Sequence, residues 1–151
     1  MIVDKVDDQF RYRLIGTAAA REIGHELTGS FVGSYALECA AAARAIYERT
    51  FASAHPVFVT GEHKTNWGSI HNMSLLALPL SDDGTIVNMA VSTLASRFNF
   101  GVTPGTDWLK GAPVKVGDVV DVHDAAELQK RCLEWERHCD SGNDTAEDAF
   151  E

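Results

Sequence analysis

Residues 10–29, FRYRLIGTAAAREIGHELTG, compress a strand, a helix and two turns into one passage, and their reading decides the fold. Phe10, Tyr12 and Leu14 alternate with Arg11 and Arg13, the period-two pattern of a strand with one buried and one wet face. Gly16-Thr17 ends the strand, with Thr17 placed to cap a short helix over residues 18–23 and Gly24 placed to stop it. Thr28-Gly29 supplies the next turn. Upstream, IVDKV at residues 2–6 and FRYRLI at 10–15 flank Asp7-Asp8-Gln9, a polar connection that reads as a hairpin. The passage therefore turns a sheet edge into a helix that folds back across the sheet.

Working outward, a longer helix over residues 36–51 carries Ala36, Cys39, Ala43, Ile46, Tyr47 and Thr50 on one face and charged residues on the other. His55-Pro56 breaks it, and VFVT at 57–60 begins a strand. Two more strands are predicted at about 70–80 and 86–95, joined by the turn Ser81-Asp82-Asp83-Gly84. Pairing Leu80 with Thr85 sets Leu78 opposite Val87, Leu76 opposite Met89 and Ser74 opposite Val91. That face, with Asn72 on it too, is the expected core side, while Met73, Leu75, Ala77 and Ala90 take the other. Residues 97–121 read as an irregular connector in which VKVGDVVDV is a short strand candidate. Residues 122–139 form a helix opened by the capping-box spacing of Asp124 and Glu127, with Leu128, Cys132, Trp135 and Cys139 on one stripe. The acidic residues 140–151 read as a solvated, disordered tail.

The order of hairpin, short helix, longer helix and three-strand meander is an α+β plan, with helices gathered on one face of an antiparallel sheet. A chain of 151 residues has room for one such domain and a modest extension. The net charge of −9 argues against a nucleic-acid partner, whose phosphates require clustered Lys and Arg. No apolar run approaches the roughly 18 residues of a membrane span, and the acidic start MIVDKVDDQF lacks a secretory signal, so the expected location is the cytoplasm. Three cysteines without CxxC spacing disfavour a disulfide framework and a structural zinc site.

The segments FRYRLIGT…GHELTG and LLALPLSDDGTIVNM, in that order, resemble a group of short bacterial domains in the PAS sensory superfamily, over residues 1–96. The resemblance implies a five-stranded antiparallel sheet with helices over one face, a ligand or cofactor held between them, and signal transduction through dimerisation or a flanking helix. Members of the group carry a helical segment before the first strand. Here Met1 adjoins that strand, which leaves the outer sheet face to find other cover. No output domain follows residue 96, so the signal is expected to pass through a homodimer, a separate signalling partner or the C-terminal helix.

The candidate ligand-binding residues are Tyr12, Leu14, Cys39, Ile46, Tyr47, Asn72, Ser74, Leu76 and Met89. Asn72 and Ser74 matter most, because a polar side chain on an apolar inner face needs a partner or costs about 1–3 kcal/mol. A ligand, a buried water or helix backbone would each serve. No flavin-type reactive-cysteine motif is present, and core packing explains Met89 as well as axial haem ligation does. No cofactor is therefore named. His63 and His71 lack a third metal ligand, and Ser74, His71 and Asp82 fail as a triad because strand alternation separates Ser74 from His71. The expected role is a non-enzymatic sensory or regulatory module for a small, mostly apolar molecule. The alternative is a ligand-free interaction or dimerisation module. Leu128, Cys132 and Trp135 are the interface candidates, either as a dimer seam or packed on the sheet face that carries Met73 and Leu75.

Overall fold

The computed structural model describes residues 1–23, 25–34, 40–64, 70–98 and 115–144. Its elements in chain order are β1 (Ile2–Val6), β2 (Gln9–Leu14), α1 (Thr17–Ile23), α2 (Ala40–Ser53) and β3 (Val57–Lys64). They continue with β4 (Ile70–Leu80), β5 (Met89–Phe98), β6 (Lys115–Asp121) and α3 (Ala125–Asp144). The strands form one antiparallel sheet in the order β2-β1-β5-β4-β3-β6. The architecture is α+β.

The hairpin closes between Val6 and Gln9 through Asp7-Asp8, with Asp7 at φ 53°. A short acidic side chain tolerates that left-handed geometry, which suits the twist of the flanking strands. Arg11 and Asp4 stand opposite each other and pair through two hydrogen bonds of 3.1 and 2.6 Å. The outer edge of β2 is covered by the segment after α1: Gly29 N–H donates to Tyr12 O, Tyr12 N–H to Ser30 O and Val32 N–H to Phe10 O. An edge strand whose backbone groups are already taken does not template further pairing.

α1 and α2 lie over one face. There Val3, Phe10, Tyr12, Ile15, Tyr47 and Ala90 form a buried cluster, against which Ala19, Ala20 and Ile23 of α1 pack. A second cluster joins Ile46 of α2 to Val57, Val59 and Ala77. Cys39, with Ala36 and Glu38, lies outside the described residues, as does the stretch 99–114. α2 is followed by Ala54 at φ 54°, a conformation costing an L side chain about 1–2 kcal/mol. Ala54→Gly is therefore expected to raise stability by about 1 kcal/mol, read as a higher urea midpoint at unchanged slope.

Three sequence expectations are corrected. Among the described residues the sheet has six strands rather than five, because β6 pairs along the free edge of β3 and sets the partly buried Val119 on one face and Val120 on the other. The β4–β5 register is displaced by four residues: Leu80 faces Met89, Leu78 faces Val91 and Leu76 faces Thr93. The cause is Asp83. Its carboxylate accepts hydrogen bonds from Ser81 Oγ, Thr85 N and Ile86 N at 2.8, 2.7 and 3.0 Å, so residues 81–86 close on themselves before pairing starts. Those bonds, the Ile86 and Thr85 amides first, hold the Asp83 carboxyl down at about 2.

The third correction concerns the faces. A shift of four keeps side chains on the same side of the strand, yet the helix-covered side is the one with Leu75, Ala77 and Ala90, not the one with Asn72, Ser74 and Leu76. Ala77 and Ala90 are fully buried, and their small size makes room for Ile46 and the Tyr47 ring of α2. α3 runs on to Asp144, past the predicted end at 139.

Candidate functional site

The strand residues facing away from α2 create a second layer. Phe58, Thr60 and Glu62 of β3 alternate with core residues, and in register beside them stand Leu76, Ser74 and Asn72 of β4. The row that matters runs across three strands, from Glu62 through Asn72 to Arg97 of β5. α3 crosses above it. His138 Nε2 lies 3.2 Å from Glu62 Oε1, and Arg97 Nη1 donates to Asp140 Oδ1 at 2.5 Å. Two charged residues thus reach up to the helix on either side of Asn72, and the carboxamide is left beneath.

Arg131, Glu134, Trp135 and His138 recur at helical spacing on one face of α3, and they roof a cleft of about 350 Å³. Phe58 and Val120 make its apolar end, and Glu62 and Asn72 its polar end. Asn72 is only 3% exposed, and its Oδ1 has no hydrogen-bond partner among the described residues. A buried amide oxygen in that state carries a desolvation cost of about 1–3 kcal/mol until a donor arrives. Cys139, 1% exposed, anchors the next position of the helix, and burial pushes its thiol above the ordinary value. Arg131 and Lys130 each stand 3.9 Å from Glu134, loose pairs along the roof.

The sequence candidates divide between two layers. Tyr12, Ile46 and Tyr47 belong to the α1/α2 layer, where aromatic rings occupy the space. Tyr12 meets Tyr47 edge-on at 6.3 Å, Phe10 meets Phe51 at 5.0 Å, and the Tyr47 hydroxyl shares a 2.9 Å hydrogen bond with Ser92. Leu14 is 52% exposed at the sheet margin. Asn72, Ser74, Leu76 and Met89 lie on the opposite face, the first two buried and the others half-buried. Of the interface candidates, Leu128 and Cys132 are half-buried, and Trp135 lines the cleft. α3 does pack on the sheet, but on the face of Phe58 and Asn72, because Met73 and Leu75 belong to the side covered by α2.

The structure therefore brings together Asn72 and Trp135, which the sequence assigned to separate roles, and adds Phe58, Glu62, Arg131 and His138. The signal for the last two was the spacing of residues 131, 134, 135 and 138 on one helical face. His63 stands opposite His71 in the β3–β4 register. Among the described residues no group of three or more His, Cys, Asp or Glu is placed to hold a metal ion, and no helix is long and apolar enough to cross a membrane. No protein-family model matches this chain, and neither a curated protein nor a solved structure matches it.

Proposed function

We propose that this chain is a non-enzymatic sensory or regulatory module of the PAS type, working in the cytoplasm. A small, mostly apolar molecule held beneath α3 governs its contact with a second copy or with a separate signalling protein. The PAS reading is supported by β1 to β5, a contiguous antiparallel block with α1 and α2 over one face, to which β6 and α3 are additions. Free thiols at Cys132 and Cys139 accord with a reducing compartment.

The observation that carries the ligand is the buried Asn72 Oδ1, without a partner among the described residues, in a cleft roofed by a helix. Exposed polar contacts such as Glu62–His138 and Arg97–Asp140 contribute little by themselves. A molecule that bridges sheet and helix therefore shifts the balance between seated and lifted α3 by as much as it prefers the seated state. Lifting presents the stripe of Leu128, Cys132 and Trp135 to a second copy.

The test is peptide-resolved alkylation of protein purified from cells, with native mass spectrometry on the same sample. Chain that retains a small molecule is expected to protect Cys139, and stripping the molecule to speed its modification about tenfold, the effect of a 1.4 kcal/mol shift in seating. Cys132, already half-exposed, changes little. Chain that never carries or accepts a molecule, with Cys139 equally protected throughout, defeats the reading.

One observation favours the ligand-free interaction module instead. Leu78 and Leu80, 36% and 41% exposed, extend the α3 side of the sheet beyond the helix and offer an apolar surface to a second copy. On that reading Trp135→Ala changes the oligomeric state while Asn72 substitutions are silent.

A further inference from the structure

We infer that the cleft selects a protonated one- or two-ring aromatic amine or amidine over an anion of the same shape. The inference rests on the proposal that the cleft holds a small molecule, and it names the chemical class.

Three independent features converge. The first is acceptor demand: Asn72 Oδ1, buried and unpartnered, requires an N–H or O–H donor from whatever enters. The second is charge. Glu62 and Glu134 line the cleft with Arg131 and His138, so carboxylates outnumber guanidinium groups two to one in its wall. The whole chain also carries −9, which favours the approach of cations over anions. The third is shape. Phe58 on the floor and Trp135 on the roof give a flat apolar body two aromatic surfaces, and an indole face attracts a cation. A volume of about 350 Å³ lies at the small end of small-molecule sites, about 300–1,000 Å³, which limits the body to one or two rings.

In the arrangement inferred, a ring lies between Phe58 and Trp135, its N–H group donates to Asn72 Oδ1, and its charge rests beside Glu62. The same contacts join sheet to helix, so binding of this class seats α3.

The full-length chain is titrated with benzamidine and tryptamine, and in parallel with their anionic counterparts benzoate and indole-3-acetate. The readout is the Trp135 indole N–H resonance, identified among the three tryptophans by its loss in Trp135→Phe. The cations are expected to bind at least about tenfold more tightly than the anions, with the preference collapsing in Glu62→Gln and in Glu134→Gln. Asn72→Leu is expected to weaken the cations about tenfold. Glu62→Gln, being isosteric, keeps the test decisive if Asn72→Leu alters the fold. Anions that perturb Trp135 as strongly as the cations overturn the class while leaving the ligand proposal standing. A neutral or anionic molecule released from protein purified from cells does the same. Probes that leave Trp135 unmoved, with nothing retained from cells, overturn both.

Discussion

Replacing Tyr47 by Ala is expected to remove about 3–5 kcal/mol of stability, the range for truncating a buried aromatic side chain. Tyr47 is 1% exposed within the first helix-side cluster, where its ring meets both Phe10 and Tyr12 and its hydroxyl bonds Ser92. The surrounding alanines have no longer rotamers with which to refill the void, and domains hold only about 5–15 kcal/mol in reserve. Urea unfolding is the measurement, and a loss below about 1 kcal/mol would show the ring to be peripheral. The same residue predicts an alkaline limit. Burial pushes the Tyr47 phenol up to about 12, against the smaller opposing effect of its bond to Ser92. Because the folded state holds this proton more tightly than the unfolded state, the contribution is intact below about pH 10 and is lost as pH rises towards 12. At roughly 1.4 kcal/mol per unit the loss approaches 2–3 kcal/mol. Tyr47→Phe forfeits the Ser92 bond but should flatten this alkaline fall, and an unchanged profile would exclude Tyr47 as its source.

Asn72→Leu is expected to do the reverse of most core substitutions, stabilising the empty chain by about 1–3 kcal/mol while weakening capture of small molecules about tenfold. Leucine keeps the branched outline of the carboxamide, has no polar atom to leave unpartnered, and finds Phe58 and Trp135 as apolar neighbours. Gain of stability with loss of binding marks a group kept for function rather than for folding. The measurement pairs urea unfolding with native mass spectrometry of the same variant. A destabilised leucine variant would mean that the carboxamide already has a partner in the free protein.

Much of this layout was legible because strands and helices announce themselves by local period. The hairpin, the helix after Gly16, the limits of β4 and the buried stripe of Ile46, Tyr47 and Thr50 all follow from neighbours a few residues apart. Ser81-Asp82-Asp83-Gly84 was legible as a turn too. Its size was not, since that depends on which backbone amides the Asp83 carboxylate captures, and this moved the β4–β5 register by four residues.

Asn72 shows the division most clearly. By itself the sequence determined that a polar residue stands in an apolar strand, and that Trp135 lies on a helical stripe needing a partner. Only the tertiary structure decided that both meet in one cleft. Alternation says that a strand has two faces but not which of them a helix will cover. That choice went to Ala77 and Ala90 because Tyr47 and Ile46 need small neighbours beneath them, and it left the face of Asn72 to α3.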